Sequence, residues 1–328
     1  MKVSVKKAKD CKVQMSVEAD PDTVESRYLE VLRDFQRQAR LPGFREGKAP
    51  PDLVEKRFAD QAREEMLKSL IPELYHRSVR SQNVAPVSLP KISGIQYARG
   101  QKLSFSAEFE EAPVVTVKNY KGIKLKRESA EVTSGDLEKA TQQLLESRAG
   151  EKLPEMNDEF AKTMGFENAD SLREALRKDI SSYKHAQSLE KMKGELFEKL
   201  LSASSFPVPE SLVEKQKERL ISDTRNSYGR AGRTEAEWQE AEAKMEQEAG
   251  VRSKEQVKLF FILQKISESE AIEPDEIELA KRLQAMADRS GRSLEEVRRV
   301  FEDDLRDSLR EKKTVDFLIA NAKFDEDK

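Results

Sequence analysis

The sequence predicts an α+β N-terminal domain, with an antiparallel sheet and two long helices, followed by an extended linker and an all-α C-terminal domain with helical arms. Two observations carry this prediction. Apolar residues alternate with polar ones near the N-terminus and again near residue 105, as in half-buried strands. Apolar residues recur at helical spacing between those segments and over most of the chain after Pro113.

Residues 1–112 are predicted to form the α+β domain, in which two strands precede two helices and further strands follow. The first two strands have apolar residues at alternate positions: Val3, Val5, Cys11, Val13, Met15 and Val17. A later strand repeats the alternation at Leu103, Phe105, Ala107 and Phe109. A sheet with one buried face reads as apolar inward and polar outward.

The first helix of this domain is predicted to begin at Asp20, a capping residue, with Pro21 in its first turn. It ends before Pro42, because the residue before a proline avoids the helical conformation. Its apolar positions are Val24, Tyr28, Val31, Leu32, Phe35 and Ala39. Those of the second helix are Leu53, Val54, Phe58, Ala62, Met66, Leu70 and Leu74, and Pro72 is expected to kink its end.

After a predicted linker at 113–150, residues 151–328 are predicted to form a nearly all-helical domain. Proline, glycine or serine separates its helices. From the linker onward, the helices are predicted near 133–148, 169–204, 209–228, 234–249, 253–270, 274–289 and 293–322.

The composition favours long exposed helices with thin cores, since 37% of residues are charged and only 6% are aromatic. The net charge of −3 gives no general nucleic-acid signature. A single cysteine excludes an internal disulfide framework and suits a reducing compartment. The N-terminus has no apolar signal region, and no apolar run reaches the ~18 residues of a membrane span. A cytoplasmic, soluble protein is expected.

No enzyme active site is visible in the sequence, and no metal or cofactor is predicted. His76 and His185 lie far apart on helical patterns, where solvated or packed histidines are common. No metalloprotease, Cys-x-x-Cys, nucleophile-elbow or Walker motif is present. Cys11 is interpreted as a small core residue of its strand.

The segment LPGFREGKAP at 41–50 is the most specific candidate for a contact site. Five cations and two anions lie between Arg33 and Lys48 in a chain that is acidic overall. Two glycines let the backbone turn tightly, and two prolines restrict it, which lowers the entropy lost on docking. Phe44 can insert into or stack on a partner, and Arg45 can bind phosphate or carboxylate through its fork. The alternative is a plain helix-hairpin turn with Phe44 folded back onto its own core.

The segment GFREGKAP resembles the GFRxGKxP signature of the trigger factor family of bacterial ribosome-associated chaperones. The order of strands and helices in residues 1–112 is similar to the ribosome-binding domain of that family. LPEMNDEFAKTMGF and FPVPESLVEKQKERL resemble segments of its helical chaperone domain. Two departures are present: no isomerase domain of the FKBP type follows the linker, and Glu46 stands where many members carry a basic or neutral residue.

The resemblance implies an ATP-independent chaperone that docks on the large ribosomal subunit, at the protein and rRNA of the tunnel exit, and shields nascent and unfolded polypeptides. It implies no membrane partner. The implied ribosome-binding residues are Gly43, Phe44, Arg45, Glu46, Gly47 and Lys48. The candidate substrate-facing residues, for which ordinary helix packing is the alternative, are Leu259, Phe260, Ile262, Met286, Phe301, Phe317 and Ile319.

Three further alternatives stay open from the sequence. One is a peptidyl-prolyl cis-trans isomerase of the trigger factor type, which the missing domain argues against. Another is an envelope chaperone with a similar helical domain, against which the GFR loop and the absent signal peptide argue. The third is self-association of the free protein as a weak homodimer.

Overall fold

The computed structural model describes residues 1–38, 40–42, 44–45, 47–148 and 155–326. Its elements, in chain order, are β1 (Lys2–Lys7), β2 (Lys12–Ala19), α1 (Pro21–Gln38), α2 (Pro51–Ser81), β3 (Lys91–Gln96), β4 (Leu103–Glu110), β5 (Lys124–Arg127), α3 (Ser134–Ser147), α4 (Asp158–Thr163), α5 (Ala169–Ala203), α6 (Glu210–Arg230), α7 (Glu235–Ser269), α8 (Glu276–Ser290), α9 (Leu294–Ala320) and β6 (Lys323–Glu326).

These elements group into two compact units, each built from segments that are far apart in sequence. Unit 1 combines residues 1–114 with 206–258, and unit 2 combines residues 115–205 with 259–328. The helix α7 contributes its first part to unit 1 and its last part to unit 2. The consecutive division into 1–112, 113–150 and 151–328 stays a prediction about independently folding domains.

The sheet of unit 1 is antiparallel, with the strand order β1-β2-β4-β3. In β2 and β4, every second residue is buried, so the alternation seen in the sequence places one face of the sheet in the core. The central pair aligns Met15 with Ala107 and Val17 with Phe105. Residues of α1 and α2 complete this core, including Tyr28, Leu32, Met66, Leu70 and Leu74.

The second helix, α2, departs from the prediction of a kink at Pro72. The helix continues past Pro72 to Ser81, and its non-helical backbone lies instead at Phe58 (φ −120°, ψ 15°). The Phe58 ring stacks on that of Phe35 in α1, with 5.7 Å between the ring centroids. The irregular turn therefore lies where α1 and α2 meet through their aromatic rings.

The helix α6 joins unit 1 through a buried carboxylate at the end of β4. Pro209 at its N-cap provides no side-chain cap. Glu110, which is 8% exposed, accepts hydrogen bonds from the backbone N–H groups of Glu210 (3.0 Å) and Ser211 (2.9 Å) and from the Ser211 hydroxyl. A helix N-terminus carries unsatisfied N–H donors and partial positive charge, and Glu110 supplies the acceptor and the negative charge that both require.

Two neighbours of Glu110 strengthen the same junction. Lys12, which is paired with Glu110 across the two strands, forms an ion pair with Glu210 at 3.0 Å. Cys11 lies in the turn before β2 with φ +65°, and not in the strand as predicted. Its buried thiol donates to the Pro207 carbonyl over 3.5 Å, and burial raises the pKa of that thiol. Cys11 is thus a packing residue beside the junction.

The helix α7 is continuous, whereas the sequence predicts separate helices at 234–249 and 253–270. Gly250 lies at the predicted break, and glycine in a helix interior costs ~1 kcal/mol relative to alanine. Ala249, Ser253 and Val257 are buried on one side of this stretch. The Ser253 hydroxyl also donates to the Gly250 carbonyl over 3.1 Å. The burial of residues before and after Gly250 in the sequence offsets the low helix propensity of this glycine.

In unit 2, α8 and α9 form a helical hairpin around a small core of Leu279, Leu283, Ala287, Val297 and Leu309. Gly291 ends α8 in the left-handed conformation (φ +66°), and Ser293 begins α9 with a capping box. The predicted all-α region also contains a strand, since β6 pairs in parallel with β5. The two strands are about 200 positions apart in the sequence, so no local pattern around β6 predicts that it pairs with β5.

We expect Glu110→Gln to loosen the first turn of α6. The amide removes the negative charge and one of the two acceptor oxygens, and a hydrogen bond to a charged group contributes ~1.5–3 kcal/mol. Hydrogen exchange of the backbone amides at 210 and 211 should accelerate by about tenfold or more. Glu108→Gln, an exposed position on the same strand, is the matched control and should leave that exchange unchanged. Equal exchange in the wild type and both variants would contradict the capping role.

Candidate functional site

The loop between α1 and α2 presents an aromatic ring and two cations. The Phe44 side chain is 43% exposed, and Arg45 and Lys48 are exposed beside it. Phe44 is not a member of the buried core of unit 1, so its ring is not folded back onto that core. Gly43 and Glu46, which the resemblance also implies, lie outside the described residues.

Hydrogen bonds within the loop and from α1 hold the described part of this loop in place. The Phe44 N–H donates to the Leu41 carbonyl (3.1 Å), and the Lys48 N–H donates to the Arg45 carbonyl (2.9 Å). Gln36 in α1 donates its side-chain amide to the Ala49 carbonyl at 2.6 Å, and Ala49 is buried. Gly47 has φ +76°, a conformation that favours glycine. The loop is thus tied to α1 just beyond its exposed residues.

The candidate substrate-facing residues differ in exposure. Ile262 is fully buried and presents no side-chain surface, and Phe260 is 43% exposed. The others are half-buried, and Met286 and Phe301 pack against the α8–α9 core: Leu259, Met286, Phe301, Phe317 and Ile319. Helix packing therefore accounts for Ile262, Met286 and Phe301, and Phe260 is the exposed member of the set.

Phe260 lines a shallow cleft between α7 and α9, which we call the α7–α9 cleft. It is lined by Phe260, Leu263, Gln264, Ser267, Asp307, Arg310, Glu311 and Thr314. Its volume is about 50 Å³. Small-molecule pockets usually measure about 300–1,000 Å³. The α7–α9 cleft can therefore accept the end of one side chain but not a bound metabolite.

The acidic side of this cleft carries one perturbed group. Glu311 is exposed as a whole residue, but it lines the cleft, and partial desolvation of its carboxyl there raises its pKa above the ordinary value of 4.5. The perturbed pKa of Glu311 was not predictable from the sequence, because a glutamate on a charged helix is typical of solvated faces. The shift depends on which side chains of α7 lie opposite, and the sequence of α9 does not contain that information.

The structure offers no metal or membrane chemistry along the residues it describes. No group of three or more His, Cys, Asp or Glu side chains within the described ranges could hold a metal ion. No helix in this part of the chain combines the length and apolar character that crossing a bilayer requires.

Two family models match the chain. The model of the bacterial trigger factor protein matches residues 1–144, and the model of the bacterial trigger factor protein C-terminus matches residues 168–320. Only residues 145–167 lie between the two matched regions, which is far fewer than the ~50 residues of a small domain. No isomerase domain separates the two regions in this chain.

The similar curated proteins span nearly their whole length in the comparison. A protein named trigger factor from Solibacter usitatus is 24% identical, with 95% of this chain and 97% of that protein covered. One from Geobacter sp. (strain M21) is 24% identical, covering 99% and 98%. Because the first alignment has 415 positions and this chain has 328 residues, at least 87 positions are gaps in this chain.

One solved structure has the same fold over nearly its whole length. Its title is "Promiscuous Substrate Recognition in Folding and Assembly Activities of the Trigger Factor Chaperone". The TM-score is 0.61 at 18% sequence identity, with 98% of this chain and 99% of that chain covered.

We expect Glu311→Gln to raise the melting temperature at neutral pH and to weaken its dependence on pH. A carboxyl whose pKa is raised by folding binds its proton more tightly in the folded state. The wild type therefore gains stability as the pH falls from that raised pKa to 4.5 and loses it as the pH rises again. The neutral amide resembles the protonated acid at every pH, so the variant lacks this part of the profile.

Thermal unfolding measured by circular dichroism across this pH range tests the expectation. Asp304→Asn, an exposed carboxylate on the same helix, is the control for the loss of one negative charge. If Glu311→Gln and Asp304→Asn change the profile equally, the burial of the Glu311 carboxyl does not determine it.

Proposed function

Because the chain belongs to the trigger factor family, we propose that it is an ATP-independent chaperone that docks on the large ribosomal subunit and shields nascent and unfolded polypeptides. The family assignment supports the chaperone activity. The observation that carries the docking proposal is the exposed Phe44 ring beside Arg45, on a loop tied to α1. The proposed location is the cytoplasm.

The proposed docking surface consists of Phe44, Arg45 and Lys48, with Gly43, Glu46 and Gly47 completing the loop. The ring supplies apolar contact to ribosomal protein, and the guanidinium and ammonium groups bind phosphates of rRNA. The hydrogen bonds at Leu41, Arg45 and Ala49 hold the described part of the loop before it docks. Less conformational entropy is then lost on binding.

The proposed holding activity uses shallow apolar contacts among many charges. The α7–α9 cleft, at about 50 Å³, is too small and shallow to select a ligand by shape. Phe260 provides an exposed aromatic ring at this cleft for contact with a client. Surfaces of this kind bind many sequences weakly. Half-buried residues such as Leu259, Phe317 and Ile319 extend the proposed surface, whereas Ile262 would act only through packing.

We further propose that the chain is not an enzyme. Lowering the ~18–20 kcal/mol barrier to rotation about a peptide bond calls for a pocket that holds the proline ring and the twisted amide. The family model regions leave only residues 145–167 between them, and such a pocket needs a domain. In the proposed division of labour, residues 1–112 dock, 113–150 link and 151–328 hold the client.

We expect Phe44→Ala combined with Arg45→Ala to weaken ribosome binding by about tenfold or more, because aromatic and arginine anchors often carry ~2 kcal/mol each. The melting temperature should hardly change, since exposed residues rarely contribute more than ~0.5 kcal/mol to stability. Co-sedimentation with ribosomes measures the binding. Leu89→Ala combined with Arg80→Ala removes an exposed apolar residue and an arginine elsewhere in unit 1 and serves as the control. Unchanged co-sedimentation of the loop variant would remove the docking role.

We expect Phe260→Ser to weaken the suppression of client aggregation by up to about fivefold, the effect of losing ~1 kcal/mol of contact. Light scattering of a chemically unfolded client, diluted into the full-length protein, measures the suppression. Ile277→Ser removes a side chain that is more exposed (68%) but lies outside the α7–α9 cleft. Equal losses in the two variants would mean that apolar exposure alone, and not the cleft, determines holding.

A further inference from the structure

The C-terminal end of α6 and its connection to α7 carry three arginines. Residues 224–234 contain Arg225, Arg230 and Arg233 and no acidic residue. These arginines line a groove of about 700 Å³ together with Tyr228 and Trp238, and the described side chains that line it include no aspartate or glutamate. We call it the tip groove. Since α6 has 21 residues, the tip groove lies roughly 30 Å along the helix axis from the Glu110 junction.

Aromatic rings orient two of these arginines. The Arg233 guanidinium lies 4.7 Å from the centroid of the Tyr228 ring and donates to the Tyr228 hydroxyl over 3.3 Å. The Arg225 guanidinium lies 5.9 Å from the centroid of the Trp238 ring. The two rings meet edge to face with their centroids 5.5 Å apart, and Trp238 is buried. The aromatic pair is therefore a fixed base beneath cationic groups.

Local capping directs the Glu237 carboxylate toward the start of α7, although Arg233 is close enough to help lower its pKa. Glu237 accepts from the Thr234 N–H at 2.7 Å and from the Thr234 hydroxyl at 3.1 Å, at the start of α7. The first contact satisfies a backbone donor next to the helix N-terminus, where a carboxylate is stabilising. Arg230 and Arg233 are exposed residues that line the groove, so a ligand in solution can reach them.

We propose that the tip groove binds acidic segments of unfolded polypeptides through Arg230 and Arg233, with Arg225 beside them. This inference rests on the proposed chaperone function and names a class of client segment for a second site. Guanidinium forks pair with carboxylates through two parallel hydrogen bonds. The chain has 62 acidic and 59 basic residues, so its net charge gives acidic segments no general attraction. A basic groove provides the local attraction that those segments need.

An acidic peptide fits the tip groove better than a single-stranded nucleic acid does. Proteins that bind single strands stack successive bases on exposed aromatic faces. Here the Trp238 ring is buried, and arginine side chains lie over both Trp238 and Tyr228. The groove therefore offers guanidinium edges for anions and no uncovered ring for a base.

Direct binding to the full-length protein tests the proposal. The probes are a labelled peptide of alternating Glu and Ser, its counterpart with Gln in place of Glu, and an RNA oligonucleotide of equal charge. Fluorescence anisotropy reports affinity. The emission of Trp238, the single tryptophan of the chain, reports binding at the groove itself.

The test variant is Arg230→Gln combined with Arg233→Gln. Arg77→Gln combined with Arg80→Gln makes the same charge change at exposed positions of α2 and serves as the control. Arg230→Gln alone leaves the contact between Arg233 and Tyr228 in place, so it tests the groove even if the double variant is misfolded.

The Glu peptide should bind more tightly than the Gln peptide and should change the Trp238 emission. The double variant should lose about fivefold in affinity, since exposed ion pairs are individually weak, and Arg230→Gln alone should lose less in the same direction. The control should bind like the wild type. Equal binding of the Glu and Gln peptides, unchanged binding in both tip variants, or tighter binding of the RNA would each overturn the proposal.

Aggregation assays separate this proposal from the chaperone proposal. The double variant should still hold a client that is poor in acidic residues. A chain that binds the Glu peptide but holds no client would keep the tip groove and remove the chaperone function. A chain that holds clients but binds the Glu and Gln peptides equally would keep the chaperone function and remove the tip-groove proposal.

Discussion

The contact on which unit 1 depends is the buried Glu110 carboxylate that caps α6. The N-terminal sheet and α6 are about 100 residues apart in sequence, and the helix has no side-chain cap of its own. Glu110 satisfies two backbone donors and opposes the partial positive charge of the helix end. The pairing of Lys12 with Glu210 and the packing of Cys11 against Pro207 surround the same point. The direction in which α6 leaves the sheet, and with it the place of the tip groove in unit 1, follows from this junction.

Local sequence patterns predicted the elements whose cause is local. Alternation located β2 and β4, because one face of each strand is buried, and capping residues and prolines located most helix ends. The misses have non-local causes. Gly250 suggested a helix break, but buried Ala249, Ser253 and Val257 keep α7 continuous. The pairing of β6 with β5 depends on a partner about 200 positions away.

The sequence predicted some of the candidate functional residues but could not predict others. The GFREGKAP segment signalled a contact loop through its composition, and the structure adds that Phe44 is exposed and that Gln36 ties the loop to α1. Spacing alone could not separate the side chains of Phe260, Phe261 and Ile262, which are adjacent on one helix. Only the packing of α7 shows that Phe260 is exposed and that the other two are buried. The tip groove was not predictable from the sequence, because its arginines are positioned by contacts with the Tyr228 and Trp238 rings, and these contacts depend on how α6 and α7 pack.

Holding without isomerisation is the central claim, and one preparation of the full-length protein can test it. The protein is mixed, without nucleotide, first with an aggregating unfolded client and then with a substrate whose refolding is limited by proline isomerisation. Suppressed aggregation together with an unchanged refolding rate is the predicted result. Acceleration of the proline-limited phase, or aggregation as fast as in the absence of the protein, would contradict it.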